Sequence, residues 1–159
     1  MDLLAAAFSR RAADNRNPGV NGLKVFGGHL YASNSDRAHI VRVPLSADGL
    51  RPVGRPEPFV EGLMADDFAF DQRGNLYLAT HPLNSVVRIA PDGRDIAVLG
   101  TAEQGLAGST AVAFGRGPAD RDAIYVTTNG GMFLPPPTGA VPAELVRLRV
   151  GAEGAPVLR

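Results

Sequence analysis

Two carboxylates, Asp66 and Asp67, stand directly ahead of the strand-like run Phe68-Ala69-Phe70, where burying charge is costly. A second polar pair, Asn21-Gly22, stands ahead of Leu23-Lys24-Val25-Phe26. Side-chain oxygens at such places suit a hard cation. Asn, Asp and Gly are equally the residues that open turns, so residue types and spacing leave both readings open. On a two-residue pleat Asp67 points away from Asp66 and Phe68. Asp71 opens a turn containing Gly74 and reads as structural. His81, in Ala79-Thr80-His81-Pro82, follows a strand in a loop that could approach a ligand, although an isolated His before a proline is more often a plain loop residue. His29 and His39 flank a hairpin and receive no role. Ser35, Ser85 and Ser109 lack the G-x-S-x-G context of a serine hydrolase. The Gly-rich segment 115–122 opens no helix and lacks the lysine of a phosphate loop.

The elements that must position these residues repeat. "HLYASN" (29–34), "NLYLAT" (75–80) and "AIYVTT" (123–128) are three versions of one strand. "HIVRVPLSADG" (39–49), "SVVRIAPDG" (85–93) and "ELVRLRVGAEG" (144–154) are three versions of the next. Ahead of each pair runs "NGLKVF", "DDFAFD" or "STAVAF". A period of 40–50 residues built from short strands is the mark of a propeller blade. Outer strands are expected within 55–61 and 95–100, and Asp-Gly pairs at 48–49 and 92–93 supply tight hairpin turns. The expected fold is therefore all-β, a β-propeller of about three four-stranded blades (19–62, 63–105 and 106–159), which is half of a six-bladed ring. Residues 1–18 read as a lead-in segment, a short helix or the remnant of a preceding blade. The segment 130–143, with three consecutive prolines, reads as a semi-rigid surface loop in the third blade. Arg42, Arg88 and Arg147 recur at one position of each blade, which predicts blade-to-blade ion pairing or hydrogen bonding. Three blades do not close a ring. Three expectations compete: further blades of a longer protein close the ring, a second copy does so as a homodimer completing six blades, or the three-blade wedge stands unclosed.

Composition bounds the function. The 159 residues are 45% hydrophobic and 20% charged with a formal net charge of zero, so there is no electrostatic footprint for nucleic acid or an anionic membrane. The chain has no cysteine, which excludes a thiolate metal site or a Cys nucleophile. The apolar run at 3–8 precedes its arginines, the reverse of a secretory signal. The expectation is a cytoplasmic protein with a small-molecule substrate, no nucleic acid and no membrane partner.

"PGVNGLKVFGGHLYASNSDRAHIVRVPL", "ADDFAFDQRGNLYLATHPLNSVVRIAPDG" and "GSTAVAFGRGPADRDAIYVTTNGG" resemble successive blades of the senescence-marker-protein/gluconolactonase propellers, related to the strictosidine-synthase-like group. The resemblance covers roughly residues 15–150. It implies a six-bladed propeller with one divalent cation on its axis, held by an Asn, an Asp and a Glu from the first blade. Asn21, in Asn21-Gly22-Leu23, matches the Asn ligand, and Asp66 matches the Asp. Asp67 stands where that family usually has glycine, and no residue upstream of Asn21 matches the Glu. The resemblance thus implies a divalent cation (Ca²⁺, Mg²⁺, Mn²⁺ or Zn²⁺) on Asn21 and Asp66. Such a cation would polarise a lactone carbonyl, with Asp66 as the catalytic base for water and Asp67 and His81 as substrate contacts. It implies a metal-dependent lactonase or ester hydrolase. Two rivals remain: a non-hydrolytic propeller enzyme of secondary metabolism, acting in condensation or pericyclic steps, and a non-catalytic half-propeller that works by association.

Overall fold

A computed structural model describes residues 17–49 and 51–156. The lead-in expected over residues 1–18 lies outside the described residues up to residue 16. Among the described residues, eleven strands form three antiparallel sheets of meander type. The first joins β1 (Val20–Phe26), β2 (His29–Asn34), β3 (His39–Pro44) and β4 (Glu57–Glu61) in chain order. The second joins β5 (Phe68–Phe70), β6 (Leu76–Ala79), β7 (Ser85–Ile89) and β8 (Ile96–Thr101) in the same way. The third joins β9 (Ser109–Phe114), β10 (Ala123–Thr128) and β11 (Leu145–Arg149). Four strands were expected here, but this sheet has three among the described residues, so β11 forms its edge. The all-β, blade-by-blade architecture is the one the repeat predicts.

Register explains why the repeat reads as it does. Tyr31 pairs with Arg42, Tyr77 with Arg88 and Tyr125 with Arg147, each across the second and third strands of its own sheet. Cross-strand neighbours on one face are the units that stabilise a sheet, so tyrosine and arginine recur together. The arginines do not bridge blades, and that expectation is corrected. Arg42 Nε lies 2.7 Å from Glu57 Oε1 on β4, Arg88 lies 3.8 Å from Asp95 in the β7–β8 turn, and Arg147 Nη2 donates to the Ala119 carbonyl at 2.8 Å. Each partner is on the same sheet because a long side chain on a strand flank reaches the adjacent strand or turn before it reaches another sheet.

The chain divides into two compact units, the first ending at Ala65 and the second beginning at Asp66. In the first, β1 carries an irregularity between Val20 and Leu23. There the exposed Asn21 donates through Nδ2 to Ser35 Oγ at 3.1 Å, and Ser35 Oγ donates to the Ala65 carbonyl at 2.6 Å. In the second unit, Tyr77, Ala79, Val86, Leu106, Val112, Phe114, Ile124 and Val126 form a buried cluster between the second and third sheets. Tyr77 and Phe114 meet edge to face at 5.0 Å, a preferred aromatic geometry. Asp71 is buried and accepts from Arg73 N, Asn75 N, Asn75 Nδ2 and the Tyr77 hydroxyl at 2.8, 2.9, 2.7 and 3.3 Å. The structural reading of Asp71 agrees with this network. Asp120 does the equivalent work in the third sheet, accepting from Gly117 N and the Tyr125 hydroxyl. The Gly-rich segment 115–122 is therefore a hairpin turn.

Candidate functional site

In the second unit, the strand end where β5 begins and β6 finishes gathers Asp66, Asp67 and His81. Backbone pairing fixes the approach. Asp66 N donates to the Ala79 carbonyl at 3.0 Å, Ala79 N to the Asp67 carbonyl at 3.0 Å, and Asp67 N across to the Thr110 carbonyl of the third sheet at 3.3 Å. Asp67 thus ties two sheets together through its backbone. The loop after β6 is closed by buried Thr80, whose N and Oγ1 both donate to the Ser85 carbonyl, at 3.1 and 3.0 Å, and whose own carbonyl accepts from Leu83 N at 2.7 Å. This closure turns His81, joined to Pro82 by a cis peptide bond, back toward the strand end.

His81 has a neighbour on each side. Its Nδ1 lies 3.8 Å from Asp66 Oδ2, with side chains 21% and 15% exposed respectively. That separation is too long for a hydrogen bond. Its Nε2 lies 2.9 Å from Asn129 Nδ2, at the end of β10. Asn129 Oδ1 accepts from Gly131 N at 3.1 Å and from Met132 N at 3.2 Å. With its oxygen committed to two backbone N–H groups, the Asn129 amide must present its NH₂ to His81. Nε2 is then the acceptor, and the imidazole proton sits on Nδ1, facing Asp66. Two influences oppose each other here. A carboxylate 3.8 Å away favours the imidazolium, whereas burial lowers the His81 pKa below its ordinary value. Burial prevails, because a proton on Nε2 would also point at the Asn129 NH₂. His81 is a neutral Nδ1–H donor beside an acceptor.

His81, expected at most to touch a substrate, is thus paired with Asp66, and Asn129 escaped the sequence reading altogether. The signal was in the repeat: Ser35, His81 and Asn129 occupy one position, just beyond the second strand of each sheet. The first unit builds its Asn21–Ser35 contact from the same two positions that give Asp66 and His81 in the second. Among the described residues no group of three or more His, Cys, Asp or Glu comes together as a metal site. Within the second unit Asp66 offers a carboxylate, but His81 turns an N–H toward it and not a lone pair. These two residues do not fit a cation by themselves.

No family model matches the chain. A protein of Phoma sp provisionally described as a hetero-Diels-Alderase is 34% identical over 130 residues, covering 78% of this chain and 37% of that protein. Another of that description, from Sarocladium schorii, is 31% identical over 134 residues, covering 76% and 33%. The chain spans about a third of the length of these curated relatives. Among solved structures, a luciferin-regenerating enzyme is similar with a TM-score of 0.68 and 21% identity, over 86% of this chain and 47% of that one. The calcium-binding protein regucalcin of Agrobacterium tumefaciens is similar with a TM-score of 0.54 and 26% identity, over 68% and 37%. The fold is that of gluconolactonase-like propeller proteins.

Proposed function

We propose that this chain is part of a propeller enzyme of secondary metabolism that closes a ring without hydrolysis, by a cycloaddition of the hetero-Diels-Alder class. The observation that carries the proposal is the pairing of His81, held as a neutral N–H donor, with the Asp66 acceptor 3.8 Å away. The two relatives supply the reaction class. Such a reaction joins a four-atom heterodiene to an alkene. Two σ bonds form as three π bonds become one, and no atom, proton or electron pair leaves. The protein is then asked for orientation and for polarisation of the heteroatom. His81 Nδ1–H donates to the carbonyl oxygen of an unsaturated carbonyl compound, drawing electron density toward that oxygen. Asp66 accepts a hydrogen bond from a hydroxyl beside the carbonyl. A hydroxy-carbonyl head group satisfies both. Asp67 works through its backbone in holding the strand end. The remaining blades come from a longer protein or from a second copy of the chain.

The test uses the full-length protein with a hydroxy-substituted unsaturated carbonyl compound and an electron-rich alkene, following product and its enantiomeric excess by chiral chromatography. His81→Phe keeps the ring and removes the donor. The expected result is a rate loss of about 10²-fold, in the range for deleting one preorganised donor, with loss of enantiomeric excess. Unchanged rate and selectivity in this variant refute the proposal.

A second reading, lactone hydrolysis that depends on a divalent cation, is favoured by the Asn21-Gly22-Leu23 and Asp66 matches and by the likeness to a calcium-binding protein. Elemental analysis of the purified protein and chelator treatment separate the two. Lactone hydrolysis that disappears with chelator and returns with metal supports the second reading, whereas chelator-resistant cycloaddition supports the first.

A further inference from the structure

The connection between the second and third strands is short in two sheets, 35–38 and 80–84, and long in the third, 129–144. This long connection is built to hold one shape. Val141 N donates to the Gly130 carbonyl at 2.9 Å and Gly139 N to the Pro136 carbonyl at 2.8 Å. Asn84 Nδ2 donates to the Leu134 carbonyl at 2.9 Å, while Asn84 Oδ1 accepts from Gly108 N at 2.6 Å. A Cβ on Gly130 would strike the Val141 carbonyl, and Gly130 has φ +70. The expectation of a surface loop captured its exposure and not its anchoring.

What this anchored loop presents is apolar. Met132 is 68% exposed and Phe133 70%, and the Phe133 ring stands edge-on to His81, with centroids 5.3 Å apart and planes at 90°. Behind the tip, Leu134 and Pro135 face Leu83 and Val98 across an open groove of about 490 Å³, within the size range of small-molecule sites. Consecutive large apolar side chains held in water by a rigid loop mark a binding surface. Contact of Phe133 with His81 makes that surface continuous with the polar pair.

We propose that Met132 and Phe133 are the specificity-determining residues of this site, forming an apolar wall for the hydrocarbon part of a substrate whose polar head meets His81 and Asp66. This rests on the cycloaddition reading, since the alkene partner of such a reaction brings no group for Asp66 or His81 to hold. The occupant is a small apolar molecule and not a second copy of the chain.

The test is direct binding of the neutral probe N-phenyl-1-naphthylamine to the full-length protein, read by fluorescence, so it needs no turnover. Met132→Ser with Phe133→Ser is expected to weaken probe binding at least about tenfold, from the apolar area removed. Val53→Ser, which replaces an apolar side chain 64% exposed in the first unit, is expected to bind within about twofold of the parent. Both serines of the double variant replace exposed side chains, so the melting temperature is expected to hold and serves as the control for folding. Parental probe affinity in the double-serine variant overturns the proposal. So does a dimer that light scattering detects in the parent and finds lost in that variant, because the tip would then be an interface between copies. Failure of the cycloaddition assay alongside the expected probe result would sink the reaction and leave the apolar wall standing.

Discussion

Replacing Asn129 by Asp tests the tautomer argument at its narrowest point. The new side chain keeps an oxygen for Gly131 N and Met132 N, so the loop anchoring survives. It exchanges the NH₂ facing His81 Nε2 at 2.9 Å for a second oxygen. Nε2 must then carry a proton, and the imidazolium would lie between two carboxylates. At 2.9 Å and an effective dielectric constant of about 20, the Coulomb attraction is about 6 kcal/mol, an upper bound from which desolvation subtracts. An opposite charge this close moves a pKa by about 1–3, or about 1.4–4 kcal/mol. His81, held below 6.5 by burial in the parent, is expected to titrate above 6.5 in N129D, because a carboxylate replaces the NH₂ at Nε2. The assay is NMR titration of the His81 ring, with ring ¹⁵N shifts reporting the tautomer. Linkage reverses with the substitution. In the parent, the stability contributed by neutral His81 is fully present above 6.5 and declines as pH falls through the lowered pKa. In N129D the contribution is fully present below 6.5 and is lost as pH rises through the raised pKa. A His81 midpoint in N129D at or below that of the parent refutes the reasoning.

Asp71→Ala removes the acceptor for two backbone N–H groups, the Asn75 amide and the buried Tyr77 hydroxyl. At about 0.5–1.5 kcal/mol each, partly recovered by solvent at exposed Arg73, the expected loss is about 3 kcal/mol in urea unfolding; a loss under 1 kcal/mol would contradict the network. Tyr77 has its pKa raised to about 12 by burial and then by Asp71. The folded state therefore keeps a proton that the unfolded chain gives up, so stability present below pH 10 is lost as pH rises toward about 12, and Tyr77→Phe should flatten that alkaline decline. Gly108 has φ +66, and a Cβ there would strike Asn129 Oδ1. Gly108→Ala should cost about 2 kcal/mol or more, from left-handed strain plus displacement of Asn129, and should move the His81 ring resonances; an unmoved ring would mean that Asn129 is not held as described.

The sequence by itself determined the sheets. Alternation along a strand, Asp-Gly turns and a tyrosine opposite an arginine are local patterns, and a register error of one residue would turn every buried side chain to water. Asp71 was legible as a structural residue for the same reason, since its partners lie within six residues of it. Asn21 and Asp66 were legible as strand-opening oxygens. Only the tertiary structure decided what those oxygens face. His81 and Asn129 are 48 residues apart and meet because two sheets pack through Tyr77, Phe114 and Ile124, which no periodicity encodes. The arginine partners and the fold of 130–143 against Asn84 depend likewise on where loops return in space. A loop's path is set by hydrogen bonds to groups distant in the chain, such as Gly130 to Val141 and Leu134 to Asn84, so its consequence for His81 appears only once the packed sheets bring those groups within reach.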